Sequence, residues 1–255
     1  SSSFFTWVMC MNEFTHTLAR KPYHILAKKE DIASRVLTMG DPDRVNRLAE
    51  LLDNTKLVNK HRGYLVYTGY YENTMVSIAC HGIGGPSAAI VFEELSMLGA
   101  KIIMRLGTCG SLTKNIELGD IVVPIGATYP IGGTVGMYVD QLCFPAIADP
   151  ELSLNISKRL KERGFSGKLC IALSSDAFHK EEELARKCAE LGVGVVEMEC
   201  ATLFTLSRLR GFRSAAALIV IDSLVTGEWI EKEKQLKLER EAGSTLLKTM
   251  VSIEL

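Results

Sequence analysis

The chain lacks any hydrophobic run near the ~18 residues a membrane span needs, so no spanning helix is expected. It also has almost no net charge: 29 basic and 30 acidic residues leave −1 at pH 7. The chain as a whole therefore offers no basic face for nucleic acid or for an anionic membrane. Its seven cysteines are scattered, odd in number and never spaced C-x-x-C. A disulfide framework or zinc site is not expected; reduced thiols in a cytoplasm are. No internal repeat and no low-complexity linker divides the sequence. The dinucleotide fingerprint G-x-G-x-x-G and the P-loop are both missing. The first residues, Ser1 to Lys21, lack a basic segment ahead of an apolar core, so they do not read as a signal peptide.

What is present fits one α/β domain. The 255 residues are 47% hydrophobic and 23% charged, ordinary for a globular chain able to bury one large core. Residues 1–22, with Phe4, Phe5 and Trp7 among polar residues, stand apart as an extension of unknown role. A start at Met9 or Met11 and an arm against a neighbouring subunit both remain open. From Tyr23 onward, apolar runs alternate with amphipathic segments. Strands are expected near 36–39, 64–68, 75–80, 102–106, 120–123, 169–173, 193–196 and 215–221. Helices are expected near 43–52, 86–98, 150–163, 180–191, 199–208 and 231–252. Such alternation implies a mostly parallel or mixed sheet covered by helices. Ligands of such sheets bind beyond the carboxyl ends of strands.

Four motifs fall at those ends. In Val195-Val196-Glu197-Met198-Glu199-Cys200, two carboxylates stand two residues apart, on one face if the run is a strand. Burying them costs several kcal/mol each, roughly, unless they are bonded. A hydroxyl-rich ligand such as a sugar would supply those bonds; the plain alternative places both acids on the surface. Met39-Gly40-Asp41-Pro42-Asp43-Arg44 reads as strand, glycine turn and helix start, with Asp41 or Asp43 as cap and Pro42 in the first turn. Free N–H groups at such a start favour anions, and Arg44 adds a fork-shaped donor. Arg105-Leu106-Gly107-Thr108-Cys109-Gly110 follows the run 102–104, and places an arginine, a hydroxyl and glycine N–H groups together at an expected strand end. His81-Gly82-Ile83-Gly84-Gly85-Pro86-Ser87 brings three glycines where backbone could pass close to a ligand.

Taken in order, Gly40-Asp41-Pro42, Arg62-Gly63, Gly82 to Ser87, Arg105-x-Gly107-Thr108-x-Gly110, Ser175-Asp176-x-Phe178 and Glu197-Met198-Glu199 resemble one family. It is the nucleoside phosphorylase family that holds the hexameric purine nucleoside phosphorylases and the uridine phosphorylases. Phe144-Pro145-Ala146-x-Ala148-Asp149 and Ala201-Thr202-Leu203 extend the likeness, which runs from about Tyr23 to the end. The resemblance implies a three-layer α/β/α domain over residues 23–255 with a mixed, partly barrel-like central sheet. It implies a nucleoside and inorganic phosphate as substrates, no cofactor and no metal, and a homo-oligomer, a hexamer built as a trimer of dimers.

The resemblance also implies roles. Gly40, Arg44, Arg105 and Thr108 match phosphate ligands, and Arg62 matches an arginine that reaches phosphate from a neighbouring subunit. His24 matches a histidine that crosses the interface to the ribose 5′-hydroxyl. Met198 and Glu199 match ribose contacts, Glu199 gripping the 2′- and 3′-hydroxyls. Phe178 and Val196 match the walls of the base site, and Asp222 the purine-type general acid. Read from the residues alone, His24 and Phe178 would be an interface and a core residue. Three positions depart from the pattern: Ile221 stands where many purine enzymes carry serine, Gln235 where the hexameric enzymes have an arginine that helps the acid, and His179 where a tyrosine is usual. Lys234 lies beside Gln235.

Phosphorolysis needs an anion site, a ribose site and a base site in a row, with a donor for the leaving base. A nucleosidase, using water, would not need Arg44, Arg62 and Arg105; a silent binding module would not need Glu199 and Asp222. Uridine enzymes carry a Gln-x-Arg pair just after the Phe178 position, and here 179–184 has neither residue. They also lack an acid at the Asp222 position. Purine nucleosides are the expected substrates. Uridine and 5′-methylthioadenosine are the alternatives.

Overall fold

A computed structural model describes residues 21–255. Residues 1–20, and with them the expectations for the N-terminal extension, lie outside the described residues. The chain folds as β1 (Arg35–Met39), α1 (Pro42–Ala49), β2 (Asp53–Asn59), β3 (Val66–Tyr71), β4 (Thr74–Cys80), α2 (Gly85–Met97) and β5 (Ile102–Ser111). There follow β6 (Ile121–Thr128), α3 (Gly133–Tyr138), β7 (Ala146–Ile147), α4 (Pro150–Glu162), β8 (Lys168–Ser174), α5 (Glu182–Glu190), β9 (Val195–Glu197), α6 (Cys200–Arg210), β10 (Arg213–Ser223) and α7 (Lys232–Ser252).

All ten strands form one mixed sheet. Along the central strands, successive residues are buried on opposite faces. Val36 and Ile103 join a core with Phe92 of α2 and Phe204 of α6. Leu37, Ile102 and Met104 join a second core with Ile156 of α4 and Leu246 of α7. Helices on both faces explain why these strands read as continuous apolar runs. The sheet is also partly closed. The pairings β10–β6, β6–β8, β8–β9, β9–β5 and β5–β10 return to their starting strand, a five-strand ring from which β1, β4, β3 and β2 extend.

β5 is the hinge of this arrangement. One edge pairs with β10 along the strand, from Ile102 opposite Arg213 to Ser111 opposite Ser223. The other edge is shared. β1 lies parallel to Ile102–Arg105, while β9 runs antiparallel to Gly110 and Ser111. Between them, Leu106 to Cys109 have no strand neighbour on that edge among the described residues. The sheet forks there, and the fork opens onto the cavity described below.

Most expected elements are found, with shifts. Three were not anticipated: β2, whose sequence Asp-Asn-Thr-Lys-Leu-Val-Asn is polar because it is the outermost strand; the two-residue β7; and glycine-rich α3. The expected strand end at Arg105 is corrected. β5 runs on to Ser111 because β10 supplies a hydrogen-bonding partner along its length.

Candidate active site

At the end of β1, Gly40 and Asp41 turn the chain into α1. Asp41 is the cap, its carboxylate accepting from the Asp43 N–H at 2.9 Å, and Pro42 occupies the first turn. Gly40 must be small: a Cβ there would stand 2.9 Å from the carbonyl oxygen of Gly82, in the glycine turn after β4. Arg44, one turn into α1, is buried. Its Nε lies 3.0 Å from Glu239 of α7 but is poorly aligned for a hydrogen bond.

Arg105, within β5, is 3% exposed and organises the middle of the site. Its Nη2 donates to Glu197 at 3.1 Å and, in a shorter contact, to Glu199. Its Nε is buried and has no hydrogen-bond partner among the described residues. The guanidinium folds back over Gly107, two residues along the same face. A Cβ on Gly107 would fall inside it, so the Arg-x-Gly spacing is a steric requirement. Thr108, on the open edge, and Gly110, where β9 joins, line the same cavity.

The two acids divide their tasks. β9 ends at Glu197, and Glu199 is the helix-capping position of α6, with φ −139° and ψ −17°. The expected shared strand face is therefore corrected, yet both carboxylates still converge on Arg105. Glu197 is consumed by structure. It accepts from the N–H groups of Glu199 (2.8 Å) and Cys200 (2.9 and 3.0 Å) and from the Ser174 hydroxyl. Glu199 takes the N–H of Gly84 at 2.7 Å, from the turn before α2. Burial, the largest single influence, opposes its ionisation, but the Arg105 guanidinium, His81 and the Gly84 N–H together outweigh it and hold the carboxyl below the ordinary range. Beside them His81 is fully buried. Desolvation, reinforced by the Arg105 charge, lowers its pKa to about 4, so the ring is neutral. Its Nδ1 donates to the Gly82 carbonyl at 2.7 Å.

The far side of the cavity is different in kind. Phe178 lies in a short 3-10 turn, is 57% exposed and meets His179 edge to face at 5.1 Å. The residue-only expectation of a core phenylalanine is corrected; it belongs to a wall. Asp222 lies near the end of β10, where its carboxylate packs on Gly110, about 3 Å from where a Cβ would stand. Burial alone raises its pKa, and no cation pairs with it among the described residues. Gln235 donates to Glu239 at 3.0 Å instead, and Lys234 folds over Gly119. Sequence reasoning passed over three residues of this wall: Ile83, Glu181 and Trp229. Glu181 was hidden in a run of three acids that reads as an ordinary helix start. The bridge that ties Trp229 to Asp222 depends on a turn with no local signature.

These groups line one cavity of about 640 Å³. Gly40, Arg44, Arg105, Thr108, Val196, Met198, Glu199, Phe178 and Asp222 all face it. His24 and Arg62 do not. They lie together on an outer edge, where Asn59 ties the backbone of both segments by accepting from Leu26 and donating to the His24 and Tyr64 carbonyls. Glu94 clamps the N–H groups of Tyr23, His24 and Ile25 and contacts His24 Nδ1 at 2.8 Å. Arg62 is exposed, with a left-handed φ of 53°. No group of acidic, histidine and cysteine side chains suited to a metal ion occurs among the described residues.

A forked, half-closed mixed sheet with helices around it is an α/β fold of the phosphorylase type. Residues 34–252 match the Phosphorylase superfamily, and the chain belongs to that family. A guanosine phosphorylase of Halorubrum lacusprofundi is 35% identical over 211 residues, covering 82% of this chain and 86% of that protein. A DeoD-type purine nucleoside phosphorylase of Caldanaerobacter subterraneus subsp. tengcongensis is 38% identical over 217 residues, covering 84% and 93%. A uridine phosphorylase of Thermococcus kodakarensis is 34% identical over 221 residues, covering 81% and 79%. The crystal structure of a Vibrio fischeri uridine phosphorylase superposes with a TM-score of 0.83 at 31% identity, covering 93% of this chain and 99% of that one.

Proposed function

We propose that this protein cleaves the N-glycosidic bond of a purine nucleoside with inorganic phosphate, releasing free base and ribose 1-phosphate. The observation that carries this reading is Arg105: a buried guanidinium with a free donor, fixed by Glu199 in a cavity that also holds Asp222. Phosphate would sit among Gly40, Arg44, Arg105 and Thr108. There its negative charge stabilises the oxocarbenium-like sugar carbon, and one of its oxygens attacks that carbon. Glu199, held ionised by Arg105, accepts the ribose 2′- and 3′-hydroxyls beside Met198. Phe178 and Val196 flank the base. Asp222, its acid form favoured by burial, donates to the base as the bond breaks. Phosphate is a co-substrate, and the chemistry calls for no further cofactor.

His24 and Arg62 complete a neighbour's site, which makes the active form a homo-oligomer, a hexamer arranged as a trimer of dimers. Their shared outer edge supports this, as do the exposed apolar residues Ile125, Ile147, Leu169 and Ile171 on the adjoining strands β6, β7 and β8. Six described cysteines are free thiols, which supports a reducing cytoplasm and a role in nucleoside salvage there. The uridine-cleaving relatives make uridine the second reading. The test is release of base from inosine, guanosine, adenosine, 5′-methylthioadenosine and uridine with and without phosphate, with mass followed by light scattering during the assay. Phosphate-dependent cleavage led by purines is expected, in an oligomer. Equal rates without phosphate, or a fully active monomer, would each overturn the corresponding part.

A further inference from the structure

Among the described residues, Glu181 is the acid on the cavity wall that has a buried carboxylate oxygen without a hydrogen-bond partner. It is half-buried at the entry to α5 and faces the same cavity as Asp222. Its Oε2 is sheltered from water and has no hydrogen-bond partner among the described residues. Burial raises its pKa, the Asp222 and Glu197 charges raise it further, and only the Ser175 hydroxyl works the other way. No basic side chain pairs with it among the described residues, although His179 and Lys180 are close in sequence and exposed. A sheltered carboxylate oxygen without a donor is costly, and it is rare unless something else supplies the donor.

We propose that Glu181 reads the edge of the base, its carboxylate accepting ring and amino N–H groups of a 6-oxopurine, so that guanosine-type nucleosides are preferred over adenosine. This rests on the phosphorylase reading above. The chemistry of the bases decides the class. Guanine carries N1–H and a 2-amino group side by side, two donors that suit the two oxygens of one carboxylate. Hypoxanthine offers N1–H alone. Adenine presents a lone pair at N1, which the carboxylate repels. Uracil sets its single N3–H between two carbonyl oxygens, and both would face the acid. A site built on a buried acceptor discriminates strongly because the wrong base leaves that acceptor unpaired.

The experiment measures kcat/KM for guanosine, inosine and adenosine at saturating phosphate, in the parent and in Glu181→Gln and Glu181→Ala. Calorimetric binding of free guanine and adenine is run beside it. The parent should rank guanosine above inosine above adenosine. Both substitutions should lower the guanosine-to-adenosine ratio at least tenfold, the scale of a charge-assisted hydrogen bond. The parent should bind guanine more tightly than adenine, and Glu181→Gln should erase the difference. A parent that favours adenosine, or variants that slow all three nucleosides by one factor, would overturn the proposal. Guanine discrimination that depends on Glu181, in a protein with no phosphorolysis at all, would sustain the base contact and remove the phosphorylase reading alone.

Discussion

The two halves of the cavity are built by opposite rules. Around Arg105 the carboxylates are densely bonded: Glu197 to a helix start and a serine, Glu199 to Gly84, and both to the guanidinium, on β5, β8, β9 and the ends of α2 and α6. Around Asp222 the groups are half-exposed and sparsely bonded, and Phe178 and Glu181 hang on the segment leading into α5. A half whose carboxylates are held by buried bonds is suited to the part of a substrate that does not vary. A loosely bonded half can be retuned with little disturbance to the core. Relatives about equally distant from this chain bear the names of uridine, guanosine and purine nucleoside phosphorylases, as that division would lead one to expect.

The sharpest way to break the contrast is Arg105→Ala. It removes an anion donor and strands two buried carboxylates. We expect kcat/KM to fall by about 10²–10³ for every nucleoside, and stability by about 3–5 kcal/mol. Steady-state kinetics and chemical unfolding check the pair; a loss confined to one base would dissolve the distinction between the halves. Asp222→Asn should act on one side only. Purine cleavage should slow by about a hundredfold, while a nucleoside whose base leaves without protonation is slowed much less. On the proposed role of Asp222 as an acid whose pKa burial raises, parent turnover of inosine should decline as pH rises through that pKa, and the variant should lose this limb. A flat parent profile would argue against the role.

Gly107→Ala tests the steric half of the argument. The methyl group displaces the guanidinium without removing it, so the phosphate KM should rise about tenfold with base preference unchanged. An unaltered phosphate KM would show that Arg105 is not held by that contact. The smallest effect on activity is expected from His81→Gln, which reads stability. The parent histidine titrates near 6.5 when unfolded and at about 4 in the fold. Between those values the unfolded chain binds the extra proton, so stability is full above about pH 6.5 and is lost as pH falls toward 4, by roughly 3 kcal/mol at most. Unfolding free energies at pH 7 and pH 5 should differ less in the variant than in the parent.

The densely bonded half was also the legible half. Gly40-Asp41-Pro42 announces a cap because its chemistry is local, and the Arg105-x-Gly107 and Glu197-x-Glu199 spacings survive because sterics dictate them. What escaped depends on distant partners. Arg105 looked like the end of a strand because nothing near it in sequence reveals that β10 pairs beyond it. The outermost strand β2 carries no apolar pattern because one of its edges meets no strand. Glu181 and Trp229 were unreadable because cavity-lining residues on irregular segments need no period. Asp222, Phe178 and His24 were reached through family likeness, and their places in the structure differ: the first two face the cavity, the third lies on an outer edge.

The fork in the sheet has a consequence for the order in which the molecule can be made. β5 emerges from the ribosome about a hundred residues ahead of β10, its partner along one whole edge. The acid that faces Arg44 and binds Arg47, Glu239, trails Arg47 by 192 residues. At 5–20 residues per second that interval is roughly 10–40 s. During synthesis Arg44 and Arg47 therefore wait without this counter-charge and β5 without its neighbour. A chain cut before β10 lacks the partner strand of β5, and one cut before Glu239 leaves Arg44 and Arg47 without that counter-charge.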